Sequence, residues 1–537
     1  MPVIPSRIDP QSKAFRDNRE AMLALLGDAR EREEELLALA ERARPRFEER
    51  AQLMPRERLG HLLDRGAPFL ELMALSGYLD DGGERSETPG GPIVGIGYVA
   101  GARCLVVASN SAVKGGTTDA AAQTKYQRAQ QIALENRLPV LLLVESGGAN
   151  LLHQARIFVR GGGGFRNQAR LSAAGIPQIA VVHGSSTAGG AYLPGLSDYV
   201  IVVRGRSRIF LAGPPLLKAA TGEIATDEEL GGAELHAQVS GTAEYMAEDD
   251  AEALAIAREV MGKLGWNAAL PPEPERPFRP PRYDPDELAG AVPPDYRRPY
   301  DVREVIARLV DDSDFLEFKV RYGAATVCGQ AAIEGHPCGL IGNNGPIDPE
   351  GSVKAAQFIQ LCCQVGTPLI YLQNTTGYIV GKAAEAGGIV KHGSKMIQAV
   401  ANATVPQLTL VIGGSFGAGN YGMCGRAYDP RFLFAWPNAR LSVMGGEQAA
   451  RVMRTVTEDK HRRDGTAVDL AALQELEREI LRRYDIESSA LYCTSRAWDD
   501  GIIDPRDSRT VLAYCLSICR EADLRRLHPS TYGVARG

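Results

Sequence analysis

The sequence predicts an α/β fold in which one unit is used twice, behind an N-terminal helical arm. Three observations predict it. First, ten prolines (Pro271, Pro272, Pro274, Pro277, Pro280, Pro281, Pro285, Pro293, Pro294 and Pro299) crowd one stretch, 271–299. So many rings exclude helix and central strand and predict a stiff, extended linker between an N-terminal domain, 1–270, and a C-terminal domain, 300–537. Second, each part carries an apolar strand that opens at a proline and reaches a glycine nine residues on: Pro139 to Gly148, and Pro368 to Gly377. Third, fifty residues after each of those prolines comes another small-residue turn, at Gly189 and at Ala418, again behind an apolar strand. Shared spacing of this kind marks an internal duplication, and strands alternating with helical stretches mark α/β layering.

The elements follow in order. Residues 15–60 are rich in Arg, Glu, Leu and Ala, with Leu25, Leu26, Leu36, Leu37 and Leu39 at helical spacing, which predicts one or two amphipathic helices. From Phe69 to Val107, short apolar runs broken by Gly and Asp predict strands and hairpins. Helical stretches at 125–135 and 352–363 precede the strands at 138–144 and 367–372. The next strands, 177–182 and 406–412, run into Ser186-Thr187-Ala188-Gly189-Gly190-Ala191 and Ser415-Phe416-Gly417-Ala418-Gly419-Asn420. Residues 191–196 and 420–426 then read as helix starts, Pro194 being tolerated only in a first turn. A third strand, 208–213 and 440–445, opens with arginine and ends at glycine, three residues out of the earlier register.

At 537 residues, 44% hydrophobic and 23% charged, the chain is of ordinary globular composition, which excludes disorder or coiled coil for most of its length. Its 58 glycines exceed the usual share of about 7%. With a net charge of −6 and no long Lys/Arg run, nothing points to nucleic acid. The apolar runs are too short to span a bilayer. No leader is visible at the N-terminus, and nine cysteines form no CxxC pair, so a reduced, cytoplasmic protein is expected.

Small-residue turns at helix starts offer unpaired N–H groups and the positive end of a helix dipole. One N–H from the Ser146–Ala149 turn (146–149) and one from Gly189-Gly190 make an oxyanion hole; Thr376–Tyr378 (376–378) and Ala418-Gly419 make a second. Such donors stabilise an enolate with no titratable side chain. The plainer alternative is that paired glycines only allow strands to pack tightly on helices. Other chemistries find no support. No phosphate-loop motif is present, Gly377–Lys382 (377–382) only resembling one superficially; Gly95-Ile96-Gly97 opens a strand rather than a helix; Gly184-Ser185-Ser186-Thr187-Ala188 lacks the last glycine of a nucleophile elbow; and no metal-ligand motif occurs. His183 reads as a core histidine, and His392, beside Lys391 and Lys395, as a helix residue near the second turn pair. Two oxyanion holes without a protein base suit a reaction in which one bound partner deprotonates the other.

These residues resemble the carboxyltransferase (β) subunit of biotin-dependent acyl-CoA carboxylases, over nearly the whole chain. The marks are Val113-Lys114-Gly115-Gly116-Thr117, Ser146-Gly147-Gly148-Ala149-Asn150-Leu151, Thr187-Ala188-Gly189-Gly190-Ala191-Tyr192 and 213–223, then Asn374-Thr375-Thr376-Gly377-Tyr378, 417–425 and 444–450. Ser-Gly-Gly-Ala-Asn together with Gly-Ala-Gly-Asn-Tyr resembles the methylcrotonyl-CoA and geranyl-CoA branch. The resemblance implies two duplicated crotonase-like (ClpP/crotonase) domains. It implies that Gly148, Gly189 and Gly190 hold the thioester oxygen of an acyl-CoA, with Ala149 and Ala188 on the substrate, and that Gly377, Ala418 and Gly419 hold the ureido oxygen of biotin, with Thr376, Tyr378 and Phe416 around it. The resemblance further implies that carboxybiotin, carried on a partner α subunit with biotin carboxylase activity, releases CO2 in the site, that its ureido nitrogen then takes the proton from a methyl carbon conjugated to the thioester, and that the resulting dienolate attacks that CO2. Sites between subunits imply a homohexameric core, within an α6β6 assembly.

One departure bears on the acyl group. Where the methylcrotonyl enzymes have an aromatic that closes the acyl pocket, this chain has Gly161, first of the run Gly161-Gly162-Gly163-Gly164-Phe165. Loss of an aromatic frees roughly 150–250 Å² of surface, which suits geranyl-CoA, longer by one isoprene unit. The competing reading makes the four glycines a mobile loop. Rival functions are a 3-methylcrotonyl-CoA carboxylase β subunit, a decarboxylase subunit running the transfer backwards beside a membrane pump, a crotonase-type hydratase and a non-catalytic scaffold.

Overall fold

The computed structural model describes residues 3–86, 89–150, 154–272 and 276–536. Leu151 and Pro274, named above, lie outside the described residues. The chain forms two compact units. One comprises Glu31–Asp80, Glu84–Pro272 and Arg520–Gly537, the other Met1–Arg30, Asp81–Gly83 and Glu273–Cys519.

The first unit is built on strands β1 (Leu70–Leu72), β2 (Ile93–Val99), β3 (Ala102–Ala108), β4 (Val140–Ser146), β5 (Gln178–Thr187), β6 (Tyr199–Val203), β7 (Arg208–Phe210) and β8 (Tyr245–Ala247). Their order is β1-β2-β3-β4-β5-β6-β8, with β7 paired to β5. The first three strands are antiparallel; β3 to β8 run parallel, as the near-continuous apolar runs of β4 and β5 require. Val140 to Val144 are each 2% exposed or less.

The second unit repeats the plan. Strands β9 (Leu316–Phe318), β10 (Thr326–Ile333) and β11 (His336–Asn343) are antiparallel. From β11 the sheet continues in parallel through β12 (Leu369–Thr375), β13 (Gln407–Phe416) and β14 (Phe432–Ala435), with β15 (Arg440–Ser442) on β13.

Helix lengths follow local chemistry. Helix α1 (Lys13–Glu41) is the predicted arm, followed by α2 (Arg44–Glu49) and α3 (Pro55–Leu62). Helix α4 (Ala120–Glu135) starts where Asp119 accepts the Ala122 N–H; the helix Pro349–Val365 starts where Asp348 accepts the Gly351 N–H. Each cap is worth about 1 kcal/mol, and the two aspartates stand 229 residues apart, the same interval as Pro139 to Pro368.

Two readings need correction. Gly161 to Gly164 are not a loop: they lie inside α5 (Gln154–Ala173). Four glycines cost a helix about 1 kcal/mol each, and α4 offsets this. Gln127 Nε2 donates to Arg160 O at 2.6 Å and Gln130 Nε2 to Gly164 O at 2.9 Å. A Cβ on Gly161 would lie 2.8 Å from Gln123 Nε2, so the missing side chains admit the glutamine ladder. The proline stretch is also not extended throughout. Pro285 opens a 3-10 turn, Leu288–Ala291 is helical, and Leu288, Ala289 and Val292 are buried in the second unit. Prolines in first turns cost nothing, because those N–H groups have no helical partner.

Unit membership at the chain ends follows from buried arginines. Arg308, fully buried, gathers Glu304 at 2.9 Å, Glu287 at 2.6 Å and Ser6 at 3.1 Å, fixing the N-terminal residues to the second unit. Arg525 pairs with Glu521 at 2.6 Å and bonds Asn267 and Trp266 O, fixing residues after 520 to the first.

Candidate active site

In each unit two strands deliver adjacent turns. In the first, β4 and β5 are in parallel register, Ser146 opposite Ser186, after a shift at 144–146. In the second, Thr375 stands opposite Ser415, after the same shift at 373–375. The shift ends regular pairing just where each chain leaves its sheet.

The first turn of each pair is held in the same way. Gly148 has φ +91° and Gly377 φ +112°, backbone that side chains rarely adopt. The Gly148 N–H donates to Ser146 Oγ at 3.1 Å, and the Gly377 N–H to Thr375 Oγ1 at 3.2 Å. Ser146 Oγ donates onward to Gly116 O at 2.9 Å, and Thr375 Oγ1 has Gly377 O at 3.3 Å and Gly345 O at 3.4 Å as acceptors. Thr118 N–H bonds Gly148 O and Asn150 N–H bonds Thr118 O; Ile347 N–H bonds Gly377 O and Ile379 N–H bonds Ile347 O. These are parallel bridges centred on Ala149 and Tyr378, so the N–H groups of Ala149 and Tyr378 point away from the bridging strand. Thr376 is exposed at the tip of its turn.

The second turns are strand-to-helix elbows. Ala188 has φ +54° and Gly417 φ +55°. The helix begins at the small residues themselves: a 3-10 turn Ala188–Ala191 leading into Tyr192–Gly195, and Gly417–Gly422 in the second unit. This is three residues earlier than the sequence predicts, because the left-handed residue turns the chain within one step. The first N–H groups of these helices, at Gly189 and Gly190 and at Ala418 and Gly419, are left without helical acceptors.

Elbow and turn touch. A Cβ on Gly148 would lie 3.3 Å from Thr187 O, and one on Gly377 3.4 Å from Phe416 O. Ser186 Oγ donates to Gly190 O at 2.9 Å, and Asn420 Nδ2 to Ser415 Oγ at 2.8 Å. Among the sequence candidates, the structure thus brings Gly148, Ala149, Ala188, Gly189 and Gly190 together in one unit, and Thr376, Gly377, Tyr378, Ala418 and Gly419 in the other. Phe416 joins them only through its backbone: its ring is buried against Tyr296, centroids 5.1 Å apart. The Tyr378 hydroxyl donates to Gly393 O at 3.4 Å, and burial pushes its pKa up, so it stays protonated. His183 is wholly buried; its Nδ1 lies 2.8 Å from Asp250, and burial pushes its pKa down to about 4, so it is a neutral core residue.

Sequence reasoning missed Phe165. Its ring lies 3.5 Å from where a Gly189 Cβ would be and tilts against Tyr192, centroids 5.3 Å apart. Gly161 is four residues earlier, on the same face of α5. The hydroxyls of Ser146 and Thr375 were also missed, although they too stand 229 residues apart.

Two glycine-lined pairs of backbone donors, in two units of one plan, are the arrangement that oxyanion or enolate stabilisation requires. The chain matches the family model "carboxyl transferase domain" over residues 47–530, and it belongs to that family. It is 59% identical to the β subunit of Pseudomonas aeruginosa geranyl-CoA carboxylase, with a TM-score of 0.94 and full coverage of both chains. It is 49% identical to a probable mitochondrial methylcrotonoyl-CoA carboxylase beta chain of Drosophila melanogaster, covering 96% of this chain and 92% of that one. It is 50% identical to a biotin-dependent 3-methylcrotonyl-coenzyme A carboxylase beta1 subunit of Mycobacterium tuberculosis, covering 91% and 92%.

Proposed function

We propose that this chain is the carboxyltransferase (β) subunit of a biotin-dependent acyl-CoA carboxylase acting on geranyl-CoA. The observation that carries it is the matched pair of turns. In the first unit the outward N–H of Ala149 and the helix-start N–H groups of Gly189 and Gly190 hold the thioester oxygen as it gains charge. Gly148 supports them from behind, its own N–H being taken by Ser146 Oγ. Ala188, in its left-handed conformation, aims the helix start at the same point.

The second unit fits a small planar urea. Ala418 is exposed at the helix start, Tyr378 N–H points outward, and the space beside Gly419 is filled by Gly377, so nothing larger than glycine fits there. These groups, with Thr376 beside them, would hold the ureido oxygen of biotin borne by a partner α subunit; bound there, biotin supplies the carboxyl group and the base. What this chain contributes is two sets of fixed dipoles, each aimed at an oxygen that becomes more negative. Such preorganised donors are worth about 2.7–4 kcal/mol each.

Gly161 supports the longer acyl group. It lies one helical turn from Phe165, which abuts the Gly189 turn, and its own missing side chain leaves only Gln123 of α4 beside it. A 3-methylcrotonyl-CoA specificity is the second reading, favoured by the identity to carboxylases of that class. A homohexameric core, an α6β6 holoenzyme and a cytoplasmic setting complete the reading, the last supported by nine cysteines that form no CxxC pair. Among the described residues no helix is long and apolar enough to cross a membrane. Gly161→Phe tests the substrate: it cuts geranyl-CoA carboxylation at least tenfold more than 3-methylcrotonyl-CoA carboxylation. Equal effects on the two substrates overturn the geranyl assignment.

A further inference from the structure

The residue before the acyl-side turn, Glu145, is a carboxylate only 13% exposed that the proposed mechanism does not use. Its surroundings are unlike those of its counterpart 229 residues on, Asn374. Asn374 makes a local amide contact, its Oδ1 accepting the Gly414 N–H at 3.2 Å. Glu145 instead binds three separate parts of its unit. Its Oε2 lies 2.7 Å from Nη1 of Arg58, a wholly buried cation on α3. The same oxygen accepts from Ser111 Oγ at 2.7 Å. Its Oε1 fills the space where a side chain on Gly184 of β5 would go. Ser111 is fixed a second time, Arg46 Nη2 donating to its carbonyl at 3.0 Å.

Ser111 opens the loop that cradles the turn. Gly115 O accepts the Gly147 N–H, Gly116 O accepts Ser146 Oγ, and Thr118 exchanges two backbone bonds with Gly148 and Asn150. Gly116 sits so close to the Glu145 carbonyl that no side chain fits between them. The Glu145 carboxylate therefore fastens the loop, while its backbone leads directly into the turn the loop holds. Below it, Arg58 lies 3.8 Å from Asp250, which holds His183 Nδ1 at 2.8 Å, accepts the Leu53 N–H at 2.8 Å and lies 3.8 Å from Arg206. The second unit has Ile412 at the position of His183, so it has no such network.

We propose that Glu145 is a positioning residue for the acyl-side oxyanion turn: clamped between Arg58 and Ser111, it sets where the Ala149 N–H stands relative to Gly189. It touches no reacting atom. Its role rests on the carboxyltransferase reading above.

The test uses the holoenzyme reconstituted with its biotin-carrying partner. Glu145→Gln keeps the shape and loses the ion pair with Arg58; Glu145→Asp keeps the charge and shortens the reach. Displacement of a catalytic group by about 1 Å costs up to about 100-fold. In Glu145→Gln, kcat for acyl-CoA carboxylation falls 10-fold to 100-fold while KM for acyl-CoA changes less than threefold. Loss of the carboxyl group from the biotin carrier without acyl-CoA, which reads the other unit, stays within twofold of wild type. Arg58→Met strands the carboxylate and is worse than Glu145→Gln, and the double variant recovers part of that loss, because a buried charge without its partner costs more than the absence of both. An unchanged kcat in folded Glu145→Gln overturns the proposal, as does an equal fall in both reactions or strict additivity of the two variants. If the wild-type holoenzyme carboxylates no acyl-CoA, it is the carboxyltransferase reading that fails instead.

Discussion

Gly190 and Gly419 hold equivalent places in the two elbows, yet the structure predicts different tolerance to one added methyl group. A Cβ on Gly190 would meet nothing closer than 3.8 Å, the Ser146 side chain, which is ordinary contact. A Cβ on Gly419 would lie 2.8 Å from Gly377 Cα and 3.0 Å from Thr375 Cγ2. To regain 3.4 Å, the lower end of ordinary contact, elbow and turn must separate by about 0.6 Å. Gly377 is backbone pinned by Thr375 Oγ1 and Ile347, so it cannot swing aside as a side chain would. Overpacking of this kind costs about 1–3 kcal/mol of stability. A displacement approaching 1 Å at a catalytic group costs up to about 100-fold in rate. Gly419→Ala should therefore slow carboxyl loss from the biotin carrier by about 10-fold to 100-fold, measured without acyl-CoA. Gly190→Ala should cost overall carboxylation at least tenfold less than Gly419→Ala does. Equal losses in the two variants, or a greater loss in Gly190→Ala, would refute the claim that contact between turn and elbow sets the donor geometry.

A second expectation concerns pH. Burial raises the Asp499 carboxyl to about 7, against the usual value near 4, and its Oδ2 is buried without a partner. The folded state then binds a proton the unfolded state releases, so this group's contribution to stability declines as pH rises from about 4 to about 7. Asp499→Asn removes that dependence: its denaturation midpoint should exceed wild type at pH 8 and converge on it near pH 4.5. A gain that is the same at both pH values would show that Asp499 does not carry the effect.

Much of the fold was legible because the duplication preserved an interval. Proline-to-glycine steps located β4, β12 and both turn pairs, since positive-φ turns leave glycine signatures that survive divergence. The same interval relates Asp119 to Asp348, Ser146 to Thr375 and the buried Lys125 to Lys354, and comparing polar positions as well as glycines would have found them. What stayed hidden depends on distant partners. The competing reading of Gly161 to Gly164 as a mobile loop rests on the poor helix propensity of glycine, which the glutamines of α4 offset. Arg58 and Glu145 are 87 positions apart, and no local pattern joins them. Nor does the proline stretch announce that Leu288 to Val292 are core, because Pro285 sits in a first turn, where a helix tolerates it.

The most direct measurement is carboxylation by the chain assembled with its biotin-carrying α subunit, ATP and bicarbonate, offered geranyl-CoA and 3-methylcrotonyl-CoA in parallel. The account predicts biotin-dependent carboxylation with the higher kcat/KM for geranyl-CoA. Turnover of either thioester without the biotin carrier, or no carboxylation of either, would contradict it.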